Sequence, residues 1–151
     1  MRKDEFVMRG QTDSTGITTE TLNFSGFKPG YAYKLTEFSL YPATNVGGTD
    51  AELCASITAS KTAVDPQNPD FNDDGLIATA NYRQGSSINQ NTQFYAVVND
   101  TFLITQNLIL QVANTANSSP VNWQCKFKPV KMAKAEEAVA NYKQFMISDG
   151  S

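Results

Sequence analysis

The stretch TFLITQNLILQVANTANSSPVNWQCKFKPVKM, residues 101–132, decides the reading of this chain. It holds the longest apolar run, the single tryptophan (Trp123) and the cleanest two-residue alternation in the sequence. Successive side chains of a strand point to opposite faces, so such alternation marks half-buried strands. Leu108, Leu110 and Val112 share one face of a first strand, and Val121, Trp123, Cys125 and Phe127 share one face of a second. The polar run from Asn114 to Pro120 between them predicts a hairpin of two long strands. Pro129 has no N–H to give to a ladder, which places it at a sheet edge or a bulge.

Strand signals continue upstream at regular spacing. Glu5 to Thr12 alternates Phe6 and Met8, and Ile17 to Ser25 puts Leu22 and Phe24 on one face. Asp13 to Gly16 reads as the turn between them, which predicts an N-terminal hairpin. Lys28-Pro29-Gly30 is a further turn. In Tyr31 to Tyr41 the apolar side changes over between residues 35 and 38, as a bulge or a bend between two sheets produces. Glu52 to Ser60, Leu76 to Tyr82 and Thr92 to Val98 complete the series, separated by polar loops at 42–50, 62–75 and 83–91. Eight or nine strands with turn signals between them define an all-β chain, an antiparallel β-sandwich of jelly-roll-like type. The sandwich domain covers residues 1–132.

Residues 133–151 change character. Ala135, Ala138, Val139, Tyr142, Phe145 and Met146 recur at spacings of three and four, the pattern of one helical face. A short C-terminal helix packed on its own sandwich, an arm docked on a neighbouring subunit and an extended run all fit. Residues 1–12 form a second flanking segment able to reach a neighbour.

A chain of 151 residues is one ordinary domain, and 40% hydrophobic residues are enough to fill its core. An 11% aromatic content and a net charge of -3 exclude a disordered composition. A pI near 4.8 without Lys/Arg clusters offers no stripe for phosphate contacts, so direct nucleic-acid binding is not expected. No apolar run approaches the roughly 18–20 residues of a spanning helix, and no secretory signal opens the chain, so no membrane partner and folding in the cytosol are expected. Histidine is absent, which removes the usual general base and the commonest soft-metal ligand. With no phosphate-cradling glycine loop and no convincing carboxylate pair, the chain reads as a non-enzyme without a cofactor. Strand parity turns Cys125 inward and Cys54 outward, predicting two free thiols.

The chemical motif worth testing is Asp70-Phe71-Asn72-Asp73-Asp74-Gly75. Oxygen ligands Asp70, Asn72 and Asp74 ahead of a glycine match the opening half of an EF-hand calcium loop. The match ends there, since the twelfth position is Asn81 and a strand follows. A calcium loop and a solvated turn are the two readings. Tyr31, Tyr33, Tyr41, Tyr82 and Tyr95 raise a sugar-stacking platform, against the ordinary use of Tyr in strands.

FLITQNLILQVANTANSSPVNWQCKFKPVKM, together with YKLTEFSLYP and ELCASITAS, resembles small single jelly-roll structural proteins of bacteriophage virions, of the capsid, minor-capsid or decoration class. The resemblance covers most of residues 5–132 and lies in strand style, with no diagnostic motif. It implies a capsid or capsid-associated role, a homo-oligomer contacting other virion proteins, no cofactor, and a virion location after assembly in the host cytoplasm. The alternative is a carbohydrate- or host-surface-binding sandwich stiffened by calcium.

Overall fold

The alternations become eight strands in the computed structural model, which describes residues 4–13, 16–24, 30–44, 50–59, 62–85, 92–117, 119–133 and 147. They are β1 (Phe6–Gln11), β2 (Thr18–Leu22), β3 (Tyr31–Pro42), β4 (Ala51–Thr58), β5 (Leu76–Gln84), β6 (Gln93–Val98), β7 (Leu108–Asn114) and β8 (Val121–Lys131). Two antiparallel sheets result, ordered β1-β8-β3 and β2-β7-β4-β5-β6.

The pairing is nested. Folded back on itself between β4 and β5, the chain pairs β4 with β5, β3 with a single bridge at Ile104, β2 with β7, and β1 with β8. A two-stranded ribbon wound in this way around one core is a jelly roll. The fold class expected from the sequence is therefore the one observed.

Both expected hairpins are absent. β1 and β2 lie in different sheets, and so do β7 and β8. Leu108, Leu110 and Val112 do share an interior with Val121, Trp123, Cys125 and Phe127, but they meet across the sandwich and not side by side. Apolar parity is the same for either arrangement, so periodicity alone does not choose. What holds residues 115–117 of the connection at the end of the sandwich is a pair of hydrogen bonds from amide groups. Thr115 N–H donates to the Glu52 carbonyl at 2.8 Å, and Asn117 Nδ2 to the Asp50 carbonyl at 2.8 Å. The first half of the opening stretch is also less regular than expected, with Ile104 bridging Tyr33 before β7 begins.

Two local expectations hold. β3 shifts register between Leu35 and Glu37 opposite β8, and the extra Thr36 turns its Oγ1 onto the Lys126 carbonyl at 3.2 Å. The bulge lets Leu35 below it and Phe38 and Leu40 above it all face the core. Pro129 sits opposite Tyr33, whose own N–H and C=O are turned away to Ile104. Its missing N–H therefore points to the side of β8 that β1 has already left, since β1 pairs no further than Phe127.

At this end of the core Phe6 stacks on Phe127 at 5.4 Å, and Phe24 meets Phe127 edge-on at 5.1 Å. Tyr33 closes the cluster against Phe6 at 5.6 Å. β1 is thus built into the chain's own sandwich, which corrects, for residues 6–11, the reading of 1–12 as a flanking segment able to reach a neighbour; residues 1–3 lie outside the described residues. The helix or arm expected over 133–151 lies, except for Ala133 and Ile147, outside the described residues. Ile147 is partly buried and packs against the main core.

Candidate functional site

The loop between β4 and β5 covers the outer face of β4. Ser56 and Thr58, on the polar side of that strand, are buried under it. Ser56 Oγ donates to the Val64 carbonyl at 2.6 Å, and Thr58 Oγ1 to the Gly75 carbonyl at 2.9 Å. Two turns follow one another within the loop. The Asp70 carboxylate accepts from Asn72 N–H at 2.9 Å, and the Asp73 carboxylate from Gly75 N–H at 2.8 Å. Upstream, Asp65 accepts from Gln67 N–H at 2.9 Å and from Asn68 Nδ2 at 3.2 Å, and these bonds hold its carboxyl below the ordinary value. This is the hydrogen bonding that makes Asp and Asn turn residues. Asp70 and Asn72 thus lie in the first of these turns and Asp74 in the second, all three exposed, with Asp70 bonded to its own loop. Among the described residues no three acidic or thiol side chains gather as a cation cluster.

The tyrosines divide between the core and two separate surfaces. Tyr33 and Tyr82 are buried, and burial first, then neighbouring Tyr31 and Tyr41 respectively, raises both phenol pKa values. Tyr41 stands out from the three-stranded sheet and lies 6.0 Å from Tyr82, ring centre to ring centre. Around it on the outer face are Arg9, Ser39, Asn122 and Gln124, lining a shallow hollow of about 440 Å³. Tyr95 is exposed on β6 in the other sheet, on the face opposite to that of Tyr82.

The two thiols are free. Cys125 is buried in the core, and that burial drives its pKa up strongly. Cys54 is partly buried and not open to solvent as its parity implied, because the β4–β5 loop lies over that face. Burial, helped by Asp65 and Glu52, pushes it up to about 11. Thiols held this far into the protonated form are poor nucleophiles.

The surface that parity did not find is the β6 edge of the five-stranded sheet, which no strand among the described residues pairs with. β6 carries Gln93, Phe94, Tyr95, Ala96, Val97 and Val98, with no charge and no proline. Phe94 is 42% exposed, Tyr95 69% and Val97 50%, and Phe71 on the covering loop is 66% exposed. Phe71 and Val97 line a groove of about 280 Å³ together with Ile77 and Thr79. Natural edge strands are usually guarded by lysine, proline or a bulge. This one is not. The signal available in the sequence was the uncharged run QFYAVV itself, apolar on both faces.

Among the described residues, fold and surface define an antiparallel jelly-roll sandwich with an unguarded apolar edge at β6. No family model and no curated protein matches the sequence. Among solved structures the chain is similar to VP1 of Trichodysplasia spinulosa-associated polyomavirus in complex with 3'-sialyllactose, at 8% identity and a TM-score of 0.43, over 85% of this chain and 94% of that one. No helix among the described residues is long and apolar enough to cross a membrane.

Proposed function

We propose that this chain is a virion structural protein, a single jelly-roll subunit or capsid-associated protein that acts through contacts between copies and with other virion proteins. It is read as a bacteriophage protein from its strand style, and as a non-enzyme located in the virion, which is assembled in the host cytoplasm. The observation that carries the assembly reading is the exposed apolar edge formed by Phe71, Phe94, Tyr95 and Val97. Exposed apolar side chains along an unguarded strand edge are a template for pairing with another chain. The test is electron microscopy of the purified chain together with sedimentation. Rings, lattices or discrete oligomers are expected, and a monomer at every concentration overturns the reading.

A second reading has its own observation. Tyr41 offers an exposed ring beside the guanidinium of Arg9, the amides of Asn122 and Gln124 and the hydroxyl of Ser39. A flat apolar face among a few polar groups is how saccharides are held. A glycan array decides it, since Tyr41→Ala abolishes any signal that this hollow produces.

A further inference from the structure

Deepening the assembly reading, we infer that β6 pairs with β6 of a second copy, antiparallel about a twofold axis at Ala96, joining two five-stranded sheets into one.

The backbone sets this register. Asn99 N–H donates to the Ile77 carbonyl at 2.8 Å, in step with the β5–β6 pairing, which has no register shift. Inward and outward bonding alternate along an antiparallel strand. Gln93, Tyr95 and Val97 therefore spend their backbone groups on β5, while Phe94, Ala96 and Val98 turn theirs outward. No strand among the described residues takes them. An axis through Ala96 sets Ala96 against its own copy and Phe94 against Val98 of the second copy, so every outward residue of the strand is paired, with about six ladder bonds.

The side chains agree with that register. Phe94, Ala96 and Val98 share the inner face with Tyr82, Ala80 and Ala78, while Tyr95 and Val97 share the outer face. The same axis places Phe94 beside Val98 of the second copy, and Tyr95 beside its Val97. Each aromatic thus meets a β-branched side chain, a favourable cross-strand pair, and these exposed side chains cover one another. A self-complementary patch is what a twofold contact requires. A second copy is the occupant because the strand carries no charge for an acidic or basic partner to recognise and is its own best complement.

Ala96→Pro tests the pairing on the full chain. It removes an outward N–H that the monomer's ladder does not use, the one setting in which a strand tolerates proline. Sedimentation velocity over a concentration series is expected to show the wild type self-associating and Ala96→Pro weakened at least tenfold, with circular dichroism unchanged. Val97→Lys, which guards the edge without touching the backbone, is expected to do the same. The register is read by mixing a Tyr95→Cys chain with a Val97→Cys chain under mild oxidation. A cross-link beyond that of the unsubstituted chain is expected in the mixture and in neither variant alone. Oligomers that survive both Ala96→Pro and Val97→Lys, or no cross-link in the mixture, overturn the β6 pairing and leave the assembly reading standing. A wild type that stays monomeric overturns both. Should Ala96→Pro fail to fold, the cysteine mixture decides.

Discussion

Tyr33 and Ile104 exchange two backbone hydrogen bonds, of 2.9 Å and 2.8 Å, at a point where the segment around Ile104 is not otherwise a strand. This bridge is the third nested pair of the jelly roll, and it fastens the segment that leaves the five-stranded sheet to the edge of the other sheet. Ile104 is fully buried and Phe102 nearly so. Truncation there costs both the transfer energy of the lost methyl groups and the cavity left behind. Ile104→Ala is expected to destabilise the protein by about 2–5 kcal/mol and Ile104→Val by about 0.5–1.5 kcal/mol. Urea titrations followed by tryptophan fluorescence measure both, and equal, small effects would mean that the bridge does not hold the crossing.

The outer face of β4 gives a second prediction. Ser56 Oγ supplies a bond to the Val64 carbonyl inside a region closed to water. Ser56→Ala leaves that carbonyl without the bond and is expected to cost about 1–3 kcal/mol. Thr58→Val keeps the shape but loses one bond to the Gly75 carbonyl, which still accepts from Ala59 N–H at 2.8 Å, and is expected to cost less, about 0.5–1.5 kcal/mol. Both variants should also speed proteolysis between residues 62 and 75, because these hydroxyls tie the loop to the sheet. An unchanged cleavage rate would assign the anchoring elsewhere.

These two cases show what the sequence could and could not tell. The bulge after Leu35 and the edge position of Pro129 were legible because each follows from a local rule, a change of apolar face and a missing donor. Strand partners were not. Leu110 and Trp123 obey the same alternation whether their strands lie side by side or face to face, and the choice rests on loop bonds such as Asn117 to Asp50. Cys54, Ser56 and Thr58 alternate as an outward face does, yet the β4–β5 loop covers them, and no period records that cover. The same limit applies to the candidate sites. Tyr33 and Tyr41 are both strand tyrosines in sequence, but one fills the core and the other stands in solvent. The exposure of Phe94, Tyr95 and Val97 depends on β6 being the last strand of its sheet, which is a fact of topology.

Gly10 lies on the inner face of β1, directly over the indole of Trp123. A Cβ placed there would stand 3.0 Å from Trp123 Cζ2 and 3.2 Å from Nε1. Neither the β1–β8 ladder nor a bulky ring sandwiched between two sheets yields easily. Gly10→Ala is expected to destabilise by about 1–3 kcal/mol through overpacking. The readout is specific, because Trp123 is the single tryptophan, is buried, and has an Nε1 with no hydrogen-bond partner among the described residues. Native emission should therefore be blue-shifted. Gly10→Ala should move it toward the red, and an unmoved spectrum with unchanged stability would show that the sheets accommodate the methyl group freely.

The thiols make the fold sensitive to alkali. The pKa of Cys54 is raised from 9.0 to about 11, mainly by burial and then by Asp65 and Glu52. Burial raises that of Cys125 further. A group whose folded pKa lies above its unfolded value binds its proton more tightly in the native state. Its contribution is fully present below about pH 9 and is lost as pH rises through the folded pKa. Stability is thus expected to fall progressively above about pH 9, with Tyr33 and Tyr82, whose folded pKa values are also raised, adding to the loss above pH 10. Cys54→Ser removes one titrating group and should flatten the fall between pH 9 and 11 without abolishing it, since Cys125 still titrates. A thiol reagent at pH 8 checks the same assignment by rate, with Cys54 reacting slowly and Cys125 only on unfolding. Fast labelling of both thiols in the native state, or a stability independent of pH up to 11, would contradict it.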